Sequence, residues 1–309
     1  MARDGGEPTA VGTHILNEVA KVVVGHDDMV EIALAAIISG GHVLIEDRPG
    51  VGKTLLARTL ATVMGLEQSR IQGTSDLLPS DVTGIHVFEP QSGSWTFRSG
   101  PIFSESLLFD ELNRATPKAQ SALLEAMAEG HVTVDGQTMA LPKPFVVIAT
   151  QNPSGDVGTY RLGSAQVDRF AVVVSMGLPS LEDERAIVTR SAGTARLDDT
   201  ETVITASEVA ELREHVGDIE ISEALIDYGL EIIEAIRLLG DGVWLSVRVS
   251  ETLFSMARGL AFMRNRDFVI PEDFQDAALP VTRHRIDESV SNELIAKAVE
   301  IPVVPVHGG

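Results

Sequence analysis

No cysteine occurs among the 309 residues, which excludes disulfides and thiolate-held zinc or iron–sulfur clusters. A reducing, intracellular setting is the expectation. Basic residues are scarce: 24 Lys and Arg stand against 45 Asp and Glu, a net charge of −21. Such a surface repels phosphate backbones, so non-specific nucleic-acid binding by counterion release is excluded unless cations cluster locally. Uncharged or basic partners suit it better. Long apolar runs are missing too. The longest, Ile32 to Ile38, is far below the roughly 18 residues that span a bilayer. The first ten residues, MARDGGEPTA, are polar and lack the apolar centre of a signal peptide. The expectation is a cytoplasmic protein with no membrane insertion. Internal repeats and low-complexity stretches are absent. With 44% hydrophobic and 22% charged residues, the chain is globular, long enough for one large core or two domains.

Apolar residues recur at helical spacing over 13–22 and 27–39, with Gly40 and Gly41 as a stop. HVLIE (42–46) reads as a buried strand, followed by a Pro/Gly turn and a helix from Gly52 to Met64. QSRIQ (68–72) reads as a strand, and 84–97 as a hairpin around a Gly-containing turn. SLLFDE (106–111), FVVIATQN (145–152) and AVVVSM (171–176) are further buried strands. Thr116 and Pro117 open a helix that Gly130 closes, and a second hairpin turns at Asp135-Gly136. Strands that are apolar almost throughout, alternating with helices, predict a parallel sheet covered on both faces. Beyond Ser180 the strand signal ends. Helices follow near 181–193, 206–216, 222–239, 247–264, 272–279 and 289–300, with capping boxes at Ser180/Asp183 and Thr205/Glu208. This divides the chain into tails at 1–12 and 301–309, an α/β core at 13–180, a connection at 181–203 and a helical unit at 204–300. Between Glu208 and Glu234 nine acids accompany one base, Arg213, a solvated face or a docking surface for a basic partner.

The strongest motif is DRPGVGKT (47–54), a phosphate-binding loop with Asp47 at the position usually held by the first Gly. Pro49, Gly50, Val51 and Gly52 would let main-chain N–H groups curl around a β-phosphate, and the following helix aims its positive end at the same anion. Lys53 would reach the β- and γ-phosphates, and the Thr54 hydroxyl would hold Mg²⁺. The preceding apolar strand and following helix supply the context the motif needs. Asp110 and Glu111 end the next buried strand. One acid can hold the Mg²⁺-bound water while its neighbour polarises the attacking water; alternatively, adjacent acids mark a helix start. Asn152 ends another strand, where its amide could orient water, although Asn before Pro153 also suits a turn. Arg169 and Arg248 are isolated cations that spacing alone assigns to the surface or to ion pairs. The eight histidines show no metal-ligand spacing, and no G-x-S-x-G elbow is present.

Taken in order, the phosphate loop, IQGTSDLLPSDVTG (71–84), FRSGPIF (97–103), LLFDELNRATPKAQSALLEAMAEG (107–130), VIATQNP (147–153) and AQVDRF (165–170) resemble the MoxR family of AAA+ ATPases. RNRDFVIPEDF (264–274) and TRHRI (282–286) resemble that family's lid. The resemblance implies a P-loop NTPase fold: a three-layer αβα core on a parallel sheet, with a C-terminal all-helical lid. It implies that residues 84–97 form a hairpin inserted in the second core helix, and that Val24 and Gly25 lie by the adenine. Asn152 would be sensor 1, Arg169 an arginine finger serving the neighbouring subunit's nucleotide, and Arg248 sensor 2 on the lid. Asp110 would meet Mg²⁺ through water. ATP and Mg²⁺ are the implied cofactors, and a finger acting in trans implies a homo-oligomeric ring, usually a hexamer. Family members remodel or mature protein clients in a chaperone-like role, often beside a von Willebrand factor A (VWA) domain protein that carries its own Mg²⁺ site. The sequence departs from the family in three places: Asp47 stands for the usual Gly, Arg161-Leu162-Gly163-Ser164 stands where Pro-Leu-Pro-Glu is usual, and Val247 precedes Arg248 where Pro is usual. Narrower readings within the clade are gas-vesicle assembly and carboxylase activation. A nucleic-acid motor or transcription activator is opposed by the acidic balance and by the lack of a Gly-Ala-Phe-Thr-Gly-Ala loop.

Overall fold

The computed structural model describes residues 9–153, 159–160, 162–191, 197, 200–240, 243–287 and 289–303. The terminal stretches 1–8 and 304–309, read from sequence as tails, lie outside the described residues. Five strands form a wholly parallel sheet: β1 (Val43–Glu46), β2 (Gln68–Gln72), β5 (Ser106–Asp110), β8 (Val146–Gln151) and β9 (Val172–Val174). Their order is β2-β5-β8-β1-β9. The three middle strands are buried along almost their whole length, as near-continuous apolar runs require. The carboxyl ends of β5, β8 and β1 therefore lie side by side, where open parallel sheets bind ligands.

Each connecting helix begins and ends where its sequence dictates. In α5 (Pro117–Glu129) the Thr116 hydroxyl accepts from the Ala119 N–H, and Pro117 occupies the first turn, where its missing donor costs nothing. Gly130 ends that helix at φ +65°. Helix α3 (Lys53–Val63) starts directly from the phosphate loop. One apolar cluster joins Leu44, Phe109, Val147 and Ala149 of the sheet to Leu123 and Ala126 of α5. The opposite cluster joins Val43, Ile45 and Leu108 to α2 (Asp27–Ile38) and α3.

The chain beyond residue 180 contributes helices α7 (Leu181–Ser191), α8 (Ala206–Gly217), α9 (Glu223–Arg237), α10 (Val247–Met263), α11 (Pro271–Thr282) and α12 (Asn292–Val299). Among the described residues no strand follows β9 and the elements beyond it are helical, but the apolar core does not divide there. Leu253, Met256, Leu260 and Phe274 belong to the same cluster as Ile37, Val43 and Leu56. Helix α10 lies so close to α2 that a Cβ at Gly259 would stand 2.6 Å from the Ala35 carbonyl oxygen.

The first hairpin is β3 (Gly84–Glu89) and β4 (Ser94–Ser99), two residues longer than the sequence suggests. The five-residue α4 (Pro79–Thr83) stops at Gly84, and turns rather than a helix lead through Gly100 and Pro101 to β5. Gly84 sits at φ +91° with no room for a side chain, so the helix ends there. The second hairpin pairs β6 (His131–Val134) with β7 (Gln137–Ala140) and touches the first through His86 Nδ1 and Asp135 Oδ2, 2.9 Å apart. Helix α4 and the short α6 (Ser164–Val167) carry too few apolar repeats to be read from sequence.

Candidate functional site

Between β1 and α3 the loop 47–52 turns on Gly50 and Gly52, whose φ angles of +91° and +101° are ones that L side chains rarely adopt. Lys53 is folded inward. Its Nζ donates to the main-chain carbonyls of Asp47, Arg48 and Gln151 and, at 2.9 Å, to Asn152 Oδ1. Burial lowers the ammonium's pKa, partly offset by Asp47, Asp110 and Glu111. Asp47 is also employed. Its carboxylate accepts from the N–H of Gly177 at 2.6 Å, the Ser175 hydroxyl at 2.8 Å and the Arg48 N–H at 2.7 Å. Burial alone would raise the Asp47 pKa, but these donors outweigh it and hold the acid below its ordinary value. The start of the phosphate loop is thereby tied to the chain leaving β9.

Asp110 lies across the cleft from Thr54, whose hydroxyl donates to Asp110 Oδ2 at 3.0 Å. Thr150 on β8 donates to Oδ1 at 2.6 Å, and the Arg70 guanidinium on β2 bonds Oδ2 at 2.8 Å. Burial works to raise this carboxyl's pKa, and the three donors together bring it below the usual carboxylate range. Asp110 and Thr54 thus present hard oxygen atoms to one point, with Arg70 supplying the local positive charge. Glu111 adopts φ 53°, ψ 49°, and its N–H donates to Thr150 Oγ1 at 2.9 Å. Its carboxylate accepts from Arg114 Nη1 at 3.0 Å. Gly73 explains the close quarters: a Cβ there would stand 2.2 Å from the Glu111 carbonyl oxygen. Asn113 donates through Nδ2 to the Asn152 carbonyl at 3.0 Å, fixing the segment that presents Asn152 to Lys53.

Val24 and Gly25 line an open cavity of about 600 Å³ with Val23, His26 and Asp183 of α7. Gly25 has φ +79°, and a Cβ there would approach an Asp183 carboxylate oxygen to 2.5 Å.

Arg169 and Arg248 lie elsewhere. Val43 of β1 pairs with Val172 of β9, so residues 169–171 precede the sheet's amino edge, whereas the phosphate loop follows its carboxyl edge. At about 3.3 Å per residue, the strand alone separates the two by roughly 13 Å. Arg248 lines a second small cavity with Gly40, Gly41 and Ala171, all at that same amino edge. Its guanidinium is 3.5 Å from Asp168. The structure therefore brings Lys53, Thr54, Asp110, Glu111 and Asn152 together at one end of the sheet. It places Arg169 and Arg248 together at the other.

Arg70, Thr150, Asn113 and Arg114 belong to the first group but do not stand out in sequence. Thr150 lies near the end of β8, two residues before Asn152, and that period-2 spacing is a local signal that both face the same side. Arg70 carries none, because its partner is 40 residues away.

Residues 42–172 match the family described as ATPase family associated with various cellular activities, and residues 245–302 match an AAA lid domain. The uncharacterised protein YeaC of Bacillus subtilis is 40% identical over 93% of this chain and 94% of its own. Chaperone MoxR1 of Mycobacterium tuberculosis is 39% identical over 91% of this chain and 78% of its own. A crystal structure titled as an ATPase of Cytophaga hutchinsonii superposes with a TM-score of 0.85 at 35% identity, covering 96% of this chain and 95% of that one. The chain belongs to the MoxR family of AAA+ ATPases.

Proposed function

We propose that this ATPase binds ATP with Mg²⁺ and hydrolyses it as a homo-oligomeric ring, usually a hexamer in the family, to remodel or mature a protein client. The observation that carries the ring is the opposed placement of Arg169 and the phosphate loop. A chain whose finger lies beyond the far edge of its own sheet can supply that cation only to a neighbour.

The residues fit the nucleotide. Gly50 and Gly52 give the loop the left-handed turns of an anion cradle, and Lys53 has only carbonyl oxygens and the Asn152 amide oxygen to leave when a phosphate arrives. Thr54 and Asp110 are a donor set suited to a small hard cation, Thr54 directly and Asp110 through water. Bound Mg²⁺ would neutralise charge on the phosphates. Glu111 polarises the attacking water once Arg114 releases its carboxylate, and Asn152 orients that water. Pro49 and Val51 shape the loop, and Val24 and Gly25 receive the adenine against Asp183. Arg169 stabilises transition-state charge in the adjoining site, and Arg248, at the same edge, joins it there. On this reading residues 13–180 are the ATPase core, 181–203 the connection and 204–300 the lid.

Exposed apolar side chains support assembly. Trp244 and Val247, 83% and 72% exposed, flank the loop and helix start that carry Arg248, and Leu178 and Leu181 are exposed just before and at the start of α7. A second copy would cover them. A VWA-domain partner and a cytoplasmic location rest on the family resemblance, and the net charge of −21 speaks against nucleic acid as client. Sedimentation and steady-state hydrolysis over a dilution series test the ring. Specific activity should fall together with the assembled fraction; constant activity in a fully monomeric sample would overturn it.

A further inference from the structure

Asp168, next to the finger arginine, is held by two lid residues. Arg285, in the short 3-10 turn (Arg283–Arg285) that follows α11, has a buried side chain that donates from Nε to Asp168 Oδ1 at 2.7 Å. The same guanidinium bonds the carbonyl oxygens of Asp168 at 3.3 Å, Phe170 at 2.9 Å and Ala171 at 3.5 Å. It also bonds the Val281 carbonyl in the last turn of α11. The adjacent His284 places Nε2 3.2 Å from the Phe170 carbonyl. Arg248, from the start of α10, approaches the other carboxylate oxygen at 3.5 Å. The peptide carbonyls of Asp168, Phe170 and Ala171 thus all bond one lid arginine. The Arg169 side chain has no ion-pair partner among the described residues.

We infer that Asp168 and Arg285 form a latch through which the lid sets the position of the Arg169 guanidinium, making both positioning residues for the neighbouring active site. The inference rests on the reading of Arg169 as a finger acting in trans. Its physical content is geometric. A buried forked donor spanning three carbonyls and a carboxylate fixes the finger-bearing backbone to α11, so the segment moves with the lid. Because Asp183 of α7, on the connection between core and lid, lines the Gly25 cavity, the nucleotide held by one subunit can bias the cation offered to the next. The contacts also explain why the chain keeps a cation whose burial lowers its pKa: that burial is offset by Asp168.

Asp168→Asn keeps the size and removes the charge that Arg285 and Arg248 share. Displacing a catalytic group by about 1 Å costs up to roughly a hundredfold in rate, so kcat should fall ten- to a hundredfold. The dissociation constant for a fluorescent ADP analogue should be unchanged, because the variant's own phosphate loop is intact. Asp168→Glu, which retains the carboxylate, should recover part of the rate. The deciding measurement is made in mixed oligomers. Asp168→Asn and Arg169→Ala proteins are each combined with Glu111→Gln protein, which offers an intact finger but cannot hydrolyse. Recovery in both mixtures supports the latch. Recovery with Arg169→Ala but not with Asp168→Asn overturns the latch and leaves the finger standing. Recovery in neither overturns the finger in trans, and the latch with it. If Asp168→Asn fails to fold, Arg285→Lys, which keeps the charge but loses the fork, is read the same way.

Discussion

Lys53 is only 8% exposed, yet its ammonium is surrounded by main-chain carbonyls and one amide oxygen rather than by a carboxylate in direct contact. A buried cation held by neutral acceptors is poised to exchange them for an anion. Lys53→Ala should therefore abolish binding of a fluorescent ATP analogue, and binding within about threefold of the unsubstituted protein would contradict this placement. Glu111 differs, because its carboxylate is bonded by Arg114. Glu111→Gln should keep nucleotide bound while hydrolysis falls by at least about a hundredfold, the size of a general-base contribution. Turnover at the unsubstituted rate would show that Glu111 does not polarise the water. These residues were legible in sequence because loop glycines, lysine and threonine act over eight consecutive positions. Arg70 and Arg285 were not: each meets its acid across 40 or 117 residues, and nothing local marks such a pair.

The central strands depend on one buried imidazole. His42 immediately precedes β1; its Nδ1 accepts the Val147 N–H of β8 at 3.0 Å, and Nε2 lies 3.4 Å from the Met127 carbonyl of α5. These partners fix the neutral ring with its proton on Nε2. Burial lowers its pKa to about 4, with only partial compensation from the Met127 carbonyl. An unfolded His42 takes up a proton near pH 6.5, whereas the folded one resists until about pH 4. The unfolded state binds more protons in that window, so stability is full above pH 6.5 and is lost as pH falls toward 4. The loss amounts to roughly 3 kcal/mol at the lower end. Chemical denaturation at pH 7 and pH 4.5 checks this: His42→Gln should flatten the difference by most of that amount, and an unchanged slope would place the acid sensitivity elsewhere. Elements such as β1, β8 and α5 were legible because burial on both faces, or a Thr-Pro start with a Gly stop, writes itself into consecutive residues. The close approach of Gly84 and Gly100, by contrast, joins the two ends of the first hairpin, and nothing local in the sequence marks it.

In the whole molecule, the lid shares its core with α2 and holds Asp168 through Arg285, so the secondary-structure boundary near residue 180 does not separate two independent cores. Composition revealed the boundary, but the contacts across it join residues too far apart in sequence for periodicity to show them. Charge is another whole-molecule property. At −21 the chain should show no saturable binding to random duplex DNA at micromolar protein in about 150 mM salt; a measurable isotherm there would defeat the argument from acidity. The central claim is that each active site is completed by the next subunit, since Arg169 and the phosphate loop lie at opposite edges of one sheet. An arginine finger is worth roughly 10³–10⁵ in rate, so Arg169→Ala alone should be inactive, as should Glu111→Gln alone. Mixing the two at equal ratio joins an intact finger to an intact Glu111 in some interfaces. Hydrolysis should reappear in the mixture and vanish again on dilution below the assembly concentration. No activity at any ratio, with mixed oligomers confirmed by sizing, would contradict it.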